Sequence, residues 1–146
     1  MSEVFIFKTD EFALLPERKT EGSIGYDLCS IEEVTINPKE YKLVRTGLVF
    51  QTFMPYGLFI FPRSSLFIKK GLMLANSVGV IDFDYCGEKD EVKLLLYNCT
   101  DNAVKIEKGE RLAQAVFLKV DFPVLKLIDK CENKCNRNGF GSTGGF

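Results

Sequence analysis

The chain has 146 residues, 46% of them hydrophobic, and its 19 basic and 20 acidic side chains leave a net charge of −1. That suits one domain with its own core, and with no run of like charge it offers no electrostatic support for a nucleic-acid or membrane surface. There is no histidine, which removes Ser-His-Asp, Cys-His and His-ligated zinc chemistry and leaves a carboxylate, ahead of a lysine, tyrosine or cysteine, as the general base near neutral pH.

Val4–Lys8 reads as a first strand, rich in Val, Ile and Phe. Gly25-Tyr26-Asp27-Leu28 then sets an acid in an apolar stretch, which on its own is a turn aspartate. Short strands follow at Glu33–Ile36, Lys42–Val44, Leu48–Phe53 and Leu58–Phe61, separated by turn signals at Asn37-Pro38, Thr46-Gly47 and Pro55-Tyr56-Gly57. Next, Pro62-Arg63-Ser64-Ser65 leads into Leu66–Lys70 and Gly71. A serine N-cap, two lysines in the last turn and glycine after it predict a short capped helix. Its free N–H groups, with Arg63, Ser64 and Ser65, would make an anion seat, or merely a structural cap.

From Asn76 to Tyr85, polar residues and Gly79 interrupt an apolar strand, and Asp82 and Asp84 are spaced to share one strand face. Two such carboxylates suit a solvated hairpin tip, a cation or a substrate proton. Glu91–Tyr97, Val104–Ile106 and Leu112–Val120 complete the strands, with turns at Cys86-Gly87, Thr100-Asp101-Asn102 and Lys108-Gly109. Alternation puts Arg111 and Gln114 on opposite faces, one for packing or pairing and the other for a site. A buried Gln114 amide would need a partner, and a phosphate oxygen would serve. The chain ends in Phe140-Gly141-Ser142-Thr143-Gly144-Gly145-Phe146. Here an aromatic face, two hydroxyls and permissive glycines would suit a lid over a nucleoside phosphate, or a plain disordered tail.

Many short strands predict an all-β, jelly-roll-like barrel or sandwich with one short helix, a single domain over residues 1–146. The scattered Cys29, Cys86, Cys99, Cys131 and Cys135 read as free thiols. No apolar run is long enough to span a bilayer and the first residues lack the form of a signal peptide, so an intracellular protein, cytoplasmic or nuclear, is expected.

Five segments, in order and spread from about Leu15 to the end, together resemble the trimeric deoxyuridine triphosphate nucleotidohydrolase (dUTPase) family. They are Gly25–Leu28, Pro62–Leu66, Asn76–Tyr85, Gly109–Gln114 and Gly139–Gly144. The resemblance implies a homotrimer with active sites shared between subunits, and hydrolysis of dUTP to dUMP and pyrophosphate with Mg²⁺. That reaction limits uracil in DNA and supplies dUMP for thymidylate synthesis. By the same resemblance, Asp82 is the base that activates the attacking water and Asp27 meets the water shell of the magnesium. Arg63, Ser64, Ser65 and Gln114 hold phosphates, Asn76 and Gly79 line a uracil pocket, and Tyr85 lies against the deoxyribose. Residues 131–146 become a mobile arm that closes over the site, with Phe140 stacked on uracil and Gly141, Ser142 and Thr143 over the terminal phosphate.

Two positions depart from the family pattern. The tail arginine expected five residues before Phe140 is Cys135, with Arg137 as the nearest substitute, and the residue after Tyr85 is Cys86 where arginine is usual. The related dCTP deaminases would need a glutamate near Leu95; an apolar side chain there cannot shuttle a proton.

Overall fold

Alternating burial identifies the strands that face the core. In Lys93–Asn98, residues 94, 96 and 98 are buried and the intervening ones are not, the period of a strand covered on one face. The computed structural model describes residues 2–132, 139–140 and 143–145. Among these it has eleven strands and one helix: β1 (Phe5–Lys8), β2 (Tyr26–Cys29), β3 (Val34–Ile36), β4 (Tyr41–Arg45), β5 (Leu48–Gln51), β6 (Tyr56–Pro62), α1 (Ser64–Lys70), β7 (Leu72–Leu74), β8 (Gly79–Ile81), β9 (Lys93–Asn98), β10 (Val104–Ile106) and β11 (Arg111–Lys119).

All pairings are antiparallel. The larger sheet has the order β2-β11-β6-β8 and the second β4-β9-β7, with β1-β5 and β10-β3 as two-stranded ribbons. Between them lies a continuous core that includes Leu28, Leu58, Ile60, Leu112 and Ala115 from one sheet and Val44, Leu72, Leu74, Leu94 and Leu96 from the other. This is the jelly-roll-like all-β architecture expected. No helix among the described residues is long and apolar enough to cross a membrane.

The sequence patterns miss β2 and β7, which have only four and three residues; strands this short are defined by their partners more than by propensity. The helix also begins differently from expectation. Arg63, in extended conformation, is its N-cap and makes no side-chain cap bond, whereas Lys69, Lys70 and a left-handed Gly71 end it as anticipated. The Lys70 ammonium lies 2.9 Å from Glu110 and donates to the Lys105 carbonyl at 2.6 Å, tying the helix to the turn that leads into β11.

Beyond β11 the backbone leaves the sheets. Phe122, Val124, Leu125, Leu127 and Ile128 are exposed, although the Phe122 ring meets Phe83 edge-on at 6.3 Å.

Candidate active site

The first, second and fourth of the five segments converge through β2, β6 and β11. Gln114 of β11 is paired with Asp27 of β2 on one side and with Phe61 of β6 on the other. Arg63 directly follows β6, so the three elements deliver an acid, an amide and a guanidinium to one end of the sheet. The Asp27 carboxylate is 13% exposed and lies 3.1 Å from Arg63 Nε and 3.4 Å from Arg111 Nη1. Two cations on one carboxylate leave positive charge over, which an anionic ligand can use. The Gln114 side-chain N–H₂ donates to the Pro62 carbonyl at 3.0 Å, fixing the amide beside Arg63.

Arg111 and Gln114 do not take opposite faces. Pairing with β2 shifts register between Arg111 and Ala113, and Leu112 and Ala113 are both buried. This β-bulge consumes one residue of the alternation and re-aims Arg111 toward Asp27, the side that Gln114 also addresses. A cavity of about 390 Å³ results, lined among others by Lys19, Ser23, Gly25, Asp27, Arg63, Ser64 and Gln114. Ser65 faces a neighbouring cavity with Arg63, Lys69, Lys70 and Arg111. Lys19 and Ser23 carried no signal in the sequence, because their loop has neither periodicity nor a recognisable motif. The bare Gly25 leaves room for Gln114, since a Cβ there would collide with the Gln114 amide oxygen and push that side chain aside.

Cys29 sits on β2 two residues from Asp27 and borders a further cavity with Asp27 and Arg111. Burial, and then the Asp27 charge, push its thiol above the ordinary cysteine value. The described cysteines, Cys29, Cys86, Cys99 and Cys131, are free, as expected.

The third segment lies elsewhere. Its β8 pairs with β6 so that Ile81 faces Leu58 and Gly79 faces Ile60. Asp82 therefore follows β8 at the end of β6 opposite Arg63, and Leu58, the last paired residue, is already roughly 17 Å from Arg63 along the strand. The expected pair of aspartates on one strand face is not formed. The strand stops at Ile81, and Asp82–Tyr85 is a turn closed by the Tyr85 N–H donating to the Asp82 carbonyl at 3.1 Å. Both carboxylates are exposed, and water removes the repulsion that a shared strand face would impose. Asn76 is exposed at the preceding turn, where Ser77 has a left-handed φ of 62°. At Gly79 a Cβ would come within 3.0 Å of Ile60 Cβ, so the glycine serves close packing of β8 on β6.

In the last segment, Phe140 is fully exposed and Thr143 is exposed. Arg137, Gly141 and Ser142 lie outside the described residues, as does Cys135.

A family model of dUTPases matches residues 11–144. The chain belongs to the dUTPase family. Among its relatives in this family, the deoxyuridine 5′-triphosphate nucleotidohydrolase of Nautilia profundicola is 41% identical over 140 residues, 95% of this chain and 96% of that one. The enzyme of the same name from Lactococcus lactis is 44% identical over 135 residues, 89% of this chain and 87% of that one. Among solved structures, the dUTPase of Staphylococcus bacteriophage 80alpha with dUPNHPP superposes with a TM-score of 0.88 at 26% identity, covering 99% of this chain and 100% of that one. The Streptococcus mutans dUTPase gives 0.72 at 39% identity, over 87% of this chain and 98% of that one.

Proposed function

We propose that this chain hydrolyses dUTP to dUMP and pyrophosphate, inside the cell, in sites completed by other copies of itself in a homotrimer. The observation that carries this reading is the convergence of Asp27, Arg63, Ser64 and Gln114 on one cavity in a chain of the dUTPase family. Arg63 offers charge-assisted hydrogen bonds to phosphate oxygens. Gln114 spends one N–H on Pro62 and keeps the second for a phosphate, while Ser64 and Ser65 add hydroxyl donors. The exposed turn bearing Asp82 supplies the base, which takes a proton from the water that attacks the α-phosphorus. Main-chain groups around Asn76 and Gly79 read uracil. A site that hydrogen-bonds the uracil edge would leave its own groups unpaired against cytosine, a penalty worth on the order of 10⁴-fold. Phe140 stacks on the base, and the hydroxyls of Ser142 and Thr143, with Gly141 and Arg137, close over the terminal phosphates.

The residues fit magnesium carried in by the substrate. No group of three or more His, Cys, Asp or Glu side chains gathers as a metal cage among the described residues. Mg²⁺ needs only one or two carboxylates beside phosphates and its own waters. Asp27 would meet those waters, since its two oxygens have acceptor capacity beyond the two arginines. When bound, the ion neutralises phosphate charge and orients the triphosphate for in-line attack.

The spacing on β6 supports a shared site. A general base must reach its proton directly or through one water, yet Asp82 and Arg63 of one chain stand at opposite ends of that strand. The exposed Val124, Leu125 and Leu127 after β11 likewise favour cover by a second copy.

Incubating the protein with each deoxynucleoside triphosphate and with UTP in Mg²⁺, and measuring pyrophosphate, tests the reading. dUTP is expected to be strongly preferred, and comparable turnover of dTTP or UTP would sink it. Gly25→Ala probes the phosphate end. The new methyl displaces Gln114, and losing one charge-assisted bond of about 1.5 kcal/mol or more raises KM for dUTP by about tenfold. An unchanged KM in the folded variant would remove Gln114 from phosphate binding.

A further inference from the structure

Tyr85 is 39% exposed on a surface turn, and its hydroxyl has one hydrogen bond among the described residues, donated to the main-chain oxygen of Glu91 at 3.2 Å. The five residues between them are folded tightly. The Gly87 N–H donates to the Asp90 carboxylate at 2.8 Å, and the Asp90 N–H returns to the Gly87 carbonyl at 2.9 Å. The position of the Tyr85 ring therefore depends on where Glu91 is held.

Glu91 is held unusually well for an acid, with only 7% exposure. Its carboxylate accepts from Arg45 Nε at 3.2 Å, from Arg45 Nη2 at 3.1 Å, from the Gly47 N–H at 2.9 Å and from the Thr9 hydroxyl at 3.3 Å. Arg45 Nη1 lies 3.7 Å from Asp10, so the guanidinium is itself steadied from a second side. The next residue is clamped too, with the Val92 N–H on the Leu48 carbonyl at 2.8 Å and the Thr46 hydroxyl donating to the Val92 carbonyl. Only the carboxylate of this pair is buried, the Arg45 side chain being 37% exposed, and such a pair adds little net stability compared with well-packed apolar side chains. What it does supply is register, because a carboxylate with four directional partners cannot slide.

We infer that Glu91, clamped by Arg45, is a positioning residue for Tyr85 and sets its ring at the distance that admits a 2′-deoxyribose and rejects a 2′-hydroxyl. This rests on the dUTP reading above and on Tyr85 as the sugar-facing residue. Discrimination against one extra oxygen by contact depends on a wall that does not yield. An unlatched tyrosine on an exposed turn would give way to it.

The test compares kcat/KM for dUTP and UTP in the wild type, Tyr85→Phe, Glu91→Gln, their double variant, Arg45→Lys and Arg45→Met, with melting curves for each. Tyr85→Phe and Glu91→Gln are each expected to raise the UTP-to-dUTP ratio by about tenfold. The double variant should go no further, since both remove one latch. Arg45→Lys, which keeps a cation on Glu91, should retain more selectivity than Arg45→Met. If Glu91→Gln does not fold, Tyr85→Phe and the Arg45 pair decide. Folded variants that melt lower but keep the wild-type ratio would make the cluster merely structural and overturn the inference. A wild type with no preference for dUTP over UTP would instead overturn the functional reading itself.

Discussion

Replacing Asp82 by asparagine is expected to lower kcat for dUTP by roughly 10²–10⁴-fold, the usual worth of a general base, with little change in nucleotide affinity. The substitution keeps the shape of the side chain and removes only its capacity to take a proton. The turn should survive, because it is closed by main-chain atoms, the Tyr85 N–H and the Asp82 carbonyl. Steady-state kinetics alongside binding of a non-hydrolysable dUTP analogue separate the two effects. In ¹⁸O-labelled water the new oxygen should appear in dUMP if attack is at the α-phosphorus as proposed. Label in pyrophosphate, or a fully active Asp82→Asn, would refute the mechanism. Asp27→Asn should behave differently. Its carboxylate binds Arg63 and Arg111, so the neutral amide loosens both cations, and because its proposed role is also through the waters of the Mg²⁺ the dependence of the rate on Mg²⁺ should weaken.

Mixing two inactive variants should restore activity. Asp82→Asn lacks the proposed base and Arg63→Gln lacks a proposed phosphate clamp, and the two positions lie toward opposite ends of β6. If each site draws these residues from different subunits, trimers assembled at random from equal amounts contain about a quarter of sites with both intact. Unfolding and refolding the mixture should therefore recover about that fraction of wild-type turnover, whereas mixing without subunit exchange recovers none. Sedimentation should give a trimer throughout. A monomer, or a refolded mixture no more active than its components, would place the whole site within one chain and contradict the shared arrangement.

Much of this was legible in the residues. The short apolar runs between turn signals marked most of the strands, because a half-buried sheet imposes its period on the sequence locally. The helix end was equally plain, since Gly71 adopts the left-handed turn that two terminal lysines and a glycine predict. The absence of histidine directed the choice of base to a carboxylate, and five ordered segments pointed to the family.

Tertiary structure decided the rest, for reasons that no local pattern contains. Perfect alternation sends Arg111 away from Gln114, but the bulge before Ala113 turns it back to Asp27, and a bulge depends on how β11 pairs with β2. Asp82 and Arg63 are separated by 19 residues in the chain, a spacing compatible with contact; only the register of β8 on β6 puts them at opposite ends of a strand. The clamp of Glu91 by Arg45, 46 residues apart, is invisible for the same reason. Sequence determined which chemical groups this protein carries and most of the strands around them. Pairing register, which joins residues far apart in the chain, determined which of those groups meet.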